Sequence, residues 1–490
     1  MTRGMNGIGS SENPRDDDEL LQEDLGEKEV LLEKSKSVCP DCLKIIDCQI
    51  FFREENVHMR KYCEEHGRFE VMIYSDVNDY LNAEKFNKPG STPLHYQGSV
   101  SEGCPKDCGL CEAHKQHTCV GIIEITEVCN LKCPVCFANS NSGFMLPFEK
   151  VKEMIDLYVR CEGEPEVLQI SGGEPTLHPN IIQILEYAGK MGIKYPMLNT
   201  NGIKLANRDF AKRISLTMEN EPHIKKPLIY LQFDGLTDET YRVLRGRPLR
   251  NIKMKALRNC KELGMNVTLV PTIVKGVNEH EIGPIIDLAL NDNNIKMVNF
   301  QPSTLTGRYE LSEKQNKRIT IPEILDEIEN QTSGLLNKKS FINIPCPYPT
   351  CSMCTYVFKT DDQVLSLTEL FEIDDYMDKI INRTIPDEGL LSEVNEALDA
   401  LLSMGAVMGS EKTESAICTS CGIVIPNITE LMDNITLISV HAFMDEFNFD
   451  LKRAKKCCVT EILPNGQMIP FCVYNILYRK ELKPDFGKMC

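Results

Sequence analysis

With 490 residues, 42% of them hydrophobic, the chain has apolar material for one large domain and one or two smaller ones, and its formal net charge of -18 argues against a nucleic-acid binder, which needs clustered Lys and Arg to neutralise phosphates. Its 22 cysteines, grouped at gaps of two and three residues, do not suit a small disulfide scaffold and point to metal ligation in a reducing compartment. No uninterrupted apolar run reaches the ~18 residues of a membrane span and no apolar signal segment opens the chain, so the expected location is cytoplasmic.

Residues 1–36 carry ten acidic and five basic side chains with few large apolar groups, and are expected to form a disordered acidic tail. Residues 37–90 follow as a small unit with β-like runs at Gln49 to Phe52 and Phe69 to Tyr74. Its Cys39, Cys42, Cys63 and His66 have C-x2-C…C-x2-H spacing, which suits one tetrahedral zinc or mononuclear iron in a rubredoxin-like or zinc-knuckle fold. The loop 91–118 carries Cys104, Cys108 and Cys111 and leads into Cys119; four thiolates so close together suit a closed auxiliary iron-sulfur cluster, with zinc as the plainer occupant.

From 119 to 310 the pattern repeats as apolar strand, polar loop and amphipathic helix. Strands are expected at 119–126, 166–172, 195–201, 227–235, 266–274 and 296–302, and helices at 148–161, 179–191, 250–264 and 279–290. Ile252, Ala256, Leu257, Cys260 and Leu263 mark one face of the third helix. Six successive βα units imply a parallel α/β sheet with right-handed crossovers, a partial (βα)6 TIM-like barrel whose functional groups sit beyond the carboxyl ends of its strands. Beyond residue 311 the repeat is lost. Helices are expected at about 322–336 and 389–408, with a C-terminal metal-binding region running to residue 490. The ligand set expected there is Cys346, Cys351, Cys458 and Cys472, with Cys457 as the alternative to Cys458 and one of that adjacent pair idle. Cys161, Cys260 and Cys490 read as spare thiols.

The chemistry concentrates after the first and second barrel strands. Cys129, Cys133 and Cys136 form a C-x3-C-x2-C triplet, continued by Phe137, and Gly172-Gly173-Glu174-Pro175 ends the second strand. Three thiolates hold three irons of a four-iron cube and leave the fourth iron open to bind and reduce a small molecule. The glycines supply pliant backbone and Glu174 a carboxylate suited to an amino acid's ammonium group. A structural zinc site with one partner missing is the bland alternative.

These motifs resemble the radical S-adenosylmethionine (SAM) superfamily. The resemblance implies a [4Fe-4S] cluster whose open iron chelates SAM and an electron that cleaves it to a 5′-deoxyadenosyl radical. It also implies that Glu174 contacts the methionine ammonium, and that Phe137, Gly172, Gly173, Pro175, Asn199, Thr200, Asn201, Gln232, Asp234, Thr272 and Gln301 line the SAM and substrate cavity. The whole set of cysteine motifs, with the tail from His441 to Asn475, looks like the archaeal tetraether lipid synthases over about residues 38–479. That closer resemblance implies carbon-carbon coupling of terminal methyl groups on isoprenoid ether lipids, one or two auxiliary [4Fe-4S] clusters, a peripheral place on the membrane surface and a ferredoxin or flavodoxin-type electron donor. The 389–408 stripe of Leu390, Leu391, Val394, Leu398, Leu401 and Leu402 is either core or a lipid-facing surface. A radical SAM methyltransferase acting on a small heterocycle such as a pterin precursor is the second reading, and would show a compact polar pocket; a structural metal-cluster binding protein is the third.

Overall fold

The computed structural model describes residues 26–480 and Leu482, apart from 27, 99, 139, 141–142, 218–226, 312–317, 360–363, 370–381, 383–415, 419–422 and 426–433, with the backbone alone at 416–418 and 423–425. The expected helix at 389–408, Cys421 and Cys490, the side chain of Cys418, and most of the acidic tail therefore lie outside the described residues.

The N-terminal unit is an antiparallel meander, β1 (Glu29–Val38), β2 (Ile45–Arg53), β3 (Asn56–Cys63) and β4 (Gly67–Tyr74), followed by α1 (Val77–Ala83). The expected tail ended at residue 36, but its last eight residues belong to β1. Charged side chains make this strand look unstructured in isolation, yet they are paired once β1 is in place. Arg60 donates to both oxygens of Glu29 at 2.9 Å, Arg53 joins them from β2, and Lys452 bonds Glu33. Burial and pairing turn a polar segment into an edge strand.

The main sheet begins with β5 (Val120–Thr126) and continues through α2 (Phe148–Glu162), β6 (Val167–Gly172), α3 (Ile181–Lys190), β7 (Tyr195–Thr200), α4 (Arg208–Ser215), β8 (Leu228–Gln232), α5 (Asp238–Arg245), α6 (Arg250–Glu262), β9 (Val267–Val270), α7 (Ile282–Leu290) and β10 (Ile295–Pro302). All six barrel strands pair in parallel, in chain order. Every expected strand and helix of the repeat is present within a few residues. Helix α2 shows why: Val151, Met154, Ile155 and Tyr158 recur at i, i+3, i+4 and i+7, and all are buried against the sheet. One outward row of strand side chains, including Ile123, Leu168, Ile170, Leu198, Ile229, Leu231 and Phe300, joins the helices in a continuous core.

The C-terminal region has the first of its two expected helices and also adds strands to the barrel sheet. After α8 (Ile321–Gln331) come β11 (Ser352–Lys359), β12 (Ile435–His441), α9 (Leu451–Lys455), β13 (Val459–Ile462) and β14 (Met468–Pro470). Strand β12 pairs in parallel with β10 at one edge of the barrel sheet, and β13 pairs in parallel with β5 at the other. The described part of the chain's last quarter thus flanks both edges of the barrel sheet and carries Cys458 to the loop ahead of β5.

Candidate functional site

The three-cysteine loop follows β5, at the carboxyl ends of the strands. It is braced from four directions. Val135–Cys136 forms a two-residue antiparallel bridge with Arg308–Tyr309, and Arg308 Nε donates to the Cys133 carbonyl at 2.7 Å. Phe137 stacks on Phe471 at 5.1 Å and meets Phe443 edge-on at 5.5 Å. Leu131, with Cys129 and Cys133 beside it, packs on Tyr241 and Leu249 below. On the fourth side, Gly173 N–H donates to the Thr126 carbonyl at 2.7 Å and Glu174 N–H to the Val128 carbonyl at 2.9 Å, so the glycine-rich strand end lies directly along the chain entering Cys129.

All three thiols are partly exposed. Burial pushes the Cys129 thiol up to about 11, with the charges of Glu174, Cys133 and Cys136 adding to it. A thiol so placed needs a cation to hold it as thiolate, which a metal cluster provides.

Glu174 is withdrawn from the surface, with its carboxylate held by the protein's own donors. It is 1% exposed, accepts hydrogen bonds from Thr200 Oγ1 at 2.7 Å and Asn201 N–H at 2.8 Å, and bonds both the hydroxyl and the N–H of Thr176. Its carboxylate joins the carboxyl ends of β6 and β7, while Pro175 starts the short turn that follows. Asp234 likewise departs from the cavity wall: it is fully buried, with Arg245 donating to both its oxygens at 2.7 and 2.6 Å, and with Gln232 and the Thr272 N–H as further donors. Gln232 also accepts from the buried Lys253. Glu174, Thr200, Gln232, Asp234 and Thr272, five residues expected at the cavity, therefore take part in the hydrogen-bonded layer that supports it, together with Arg245 and Lys253, which the sequence reading does not single out.

Asn199, Gln301 and Asn201 stay at the open end. Asn199 donates to Gln169 and Ser171 at 3.3 and 3.2 Å while its Oδ1 is buried without a hydrogen-bond partner. Asn201 donates to Asn130 of the cysteine loop at 2.7 Å. Gln301 and Asn299 both donate to the Tyr230 hydroxyl, at 3.0 and 2.8 Å. The residues fit a cluster with bound SAM on two counts: a three-thiol loop and a buried acceptor lacking a donor.

The other cysteines regroup. Cys39, Cys42, Cys63 and His66 come together as expected, their ligand atoms within 4.8 Å of one another. Cys119 does not complete the Cys104, Cys108 and Cys111 set; its sulfur lies with those of Cys346 and Cys458, again within 4.8 Å. The Cα atoms of Cys119 and Cys346 are 7.9 Å apart, beyond the usual span of a cystine, so the pair suits a shared metal better than a disulfide. Cys104, Cys108 and Cys111 line a separate cavity with His114. Cys351 accepts from Arg453 Nε at 3.2 Å, and Cys472 from the Met444 N–H at 3.4 Å. Of the 457/458 pair, Cys458 joins Cys119 and Cys346, while the Cys457 thiol donates to the Val459 carbonyl at 3.1 Å. Cys161 and Cys260 are buried core thiols, as expected, and so is Cys354.

Chelation tests the first of these groups. Treatment with a strong chelator is expected to release one metal ion from the Cys39, Cys42, Cys63 and His66 site and to strip amide-exchange protection from β2 and β3 while the barrel stays protected, and to proceed faster in acid as the ligands take up protons. Protection unchanged after complete metal loss would show the meander to be held by its core alone.

Residues 123–289 match the family described as the Radical SAM superfamily, and residues 31–75 match the HMPTM N-terminal zinc ribbon domain. The 7,8-dihydro-6-hydroxymethylpterin dimethyltransferase of Methanocaldococcus jannaschii is 33% identical over 492 residues, covering 93% of this chain and 95% of that protein. The Fe-coproporphyrin III synthase of Methanosarcina barkeri is 29% identical over 204 residues, 41% of this chain and 47% of its own. Among solved structures, Streptococcus suis SuiB bound to S-adenosylmethionine matches 44% of this chain and 48% of its own at 18% identity, with a TM-score of 0.36. Among the described residues no helix is long and apolar enough to cross a membrane.

Proposed function

We propose that this chain, which belongs to the radical SAM superfamily, modifies a carbon of a small polar heterocycle of the pterin class, as the name of its 33% identical relative suggests for that protein. The observation that carries this reading is the inner face of the barrel sheet. Strand side chains alternate, and the row opposite the apolar core comprises, toward the carboxyl ends, Gln169, Ser171, Asn199, Tyr230, Asn299 and Gln301. Both lone pairs of the Tyr230 hydroxyl are taken by amide donors, which leaves its proton to donate. A buried acceptor on Asn199 stands at the paired position of the neighbouring strand. Donors and acceptors so arranged suit a ring bearing amide and amidine edges and would be costly to leave unpaired against a hydrocarbon chain.

Cys129, Cys133 and Cys136 would hold a four-iron cluster, which would supply the single electron needed for reductive cleavage of SAM. The chain's residues do the rest. Gly172 and Gly173 allow the strand end to lie against the cysteine loop, Glu174 fixes the ends of β6 and β7, and Asn199 and Tyr230 orient the substrate ring. A ferredoxin or flavodoxin is the proposed electron donor.

Coupling of isoprenoid lipid chains is the competing reading. It requires apolar walls, and the 389–408 segment offered for them lies outside the described residues. Anaerobic reconstitution with SAM and dithionite separates the two. Deoxyadenosine formed only when 7,8-dihydro-6-hydroxymethylpterin is added supports the heterocycle; formation that depends instead on archaeal ether phospholipid overturns it.

A further inference from the structure

Helix α5 packs under the three-cysteine loop with Tyr241, Leu244 and Arg245 on one face, at i, i+3 and i+4. Its end is occupied by a buried ion pair, Arg245 being 7% and Asp234 0% exposed. Arg245 Nη1 donates to the carbonyl of Val135, between Cys133 and Cys136, at 2.9 Å. Nη2 reaches Thr272 Oγ1 at 3.0 Å as well as Asp234. The guanidinium charge also opposes the upward push that burial gives the Cys133 thiol.

An ion pair taken this far from water costs much of what it returns, so it is weak as a stability device. As an electrostatic device it is well placed. An arginine keeps its proton throughout the ordinary pH range, so its charge is permanent. Hydrogen bonds and positive charge near cluster sulfurs raise a cluster's reduction potential. We propose that Arg245 is a positioning residue that sets the reduction potential of the cluster held by Cys129, Cys133 and Cys136, through a fixed guanidinium charge laid against the cysteine loop. This rests on the reading of that triplet as a cluster site. In the step it governs, dithionite or a flavodoxin-type donor is oxidised by one electron, the cluster is reduced by one, and Arg245 neither gains nor loses a proton.

The test is an EPR-monitored redox titration of the anaerobically reconstituted full chain, following the component of the reduced signal that changes when SAM is added. Arg245→Met should lower the reduced-to-oxidised ratio at a fixed potential by tenfold or more, a shift of about 59 mV for a one-electron couple. Arg245→Lys keeps the charge and loses the fork, and should stay within a few-fold of the parent. Asp234→Asn keeps Arg245 and removes the opposing carboxylate, and should shift the ratio toward the reduced form. Equal shifts in the Lys and Met variants would make Arg245 a brace and overturn the proposal. If Arg245→Met fails to hold iron, the Asp234→Asn result decides, and an unchanged or lower ratio there also overturns it. A parent protein with no SAM-responsive signal would overturn the proposal together with the cluster reading beneath it.

Discussion

Replacing Cys133 by alanine is expected to reduce 5′-deoxyadenosine formation by at least roughly 1000-fold, about 4 kcal/mol of lost transition-state stabilisation, while the remaining metal sites keep their metal. The reasoning is local. Cys133 sits in the middle of the triplet, its carbonyl is gripped by Arg308, and the other thiol groups found among the described residues lie elsewhere in the fold. The other thiol groups hang on separate elements: Cys39 and Cys42 on the turn after β1, Cys63 at the end of β3 with His66 in the turn that follows, Cys119 and Cys458 just ahead of β5 and β13. Metal analysis of the variant should therefore show the loss of one cluster's worth of iron. Simultaneous loss of all iron would mean that the sites are not independent, and retained SAM cleavage would remove Cys133 from the radical-generating site.

The same separation explains what could be read from the residues alone. The barrel repeat was legible because each unit carries its own period, two for the strands and 3.6 for the helices, and each buries its apolar row against a neighbour adjacent in sequence. Cys129, Cys133 and Cys136 were legible because their spacing is local. Cys119 was assigned to the wrong partners because its true neighbours arrive by long-range pairing: β13 lies beside β5, and Cys119 and Val120 N–H both donate to the Cys458 carbonyl, at 2.9 and 3.1 Å. Nothing within sixteen residues of Cys119 announces that contact. Helix α5 was missed for the opposite reason. Its DETYRVLR run is short and strongly charged, and its stability comes from outside. Thr237 caps it, and the buried Glu281 carboxylate accepts from Leu236 and Thr237 N–H and the Thr240 hydroxyl at its N-terminus. Arg245 therefore gave no local sign that it belongs to the site.

Alanine at Gly172 or Gly173 is expected to be the most damaging small substitution outside the cysteines. A Cβ on Gly173 would lie 2.5 Å from the Val128 carbonyl oxygen and 2.6 Å from that of Glu127, and one on Gly172 would lie 2.2 Å from the Thr126 oxygen. These are backbone atoms of the chain entering Cys129, so relief can come only by moving the cysteine loop away from the end of β6. Gly172 also has φ +127°, which an L side chain rarely adopts, so its substitution adds backbone strain to the clash. The two variants should consequently separate. Gly173→Ala is expected to keep its barrel and its iron but to lose deoxyadenosine formation by on the order of 100-fold, because a shift of about 1 Å between loop and cradle is enough to spoil a near-attack geometry. Gly172→Ala should in addition lose iron from the triplet and lower the melting temperature, since overpacking costs about 1–3 kcal/mol before the strain is counted. Iron content, far-UV circular dichroism and deoxyadenosine yield measured on the same samples distinguish these outcomes. Parental activity in Gly173→Ala would mean that the loop and the strand end do not need their close approach.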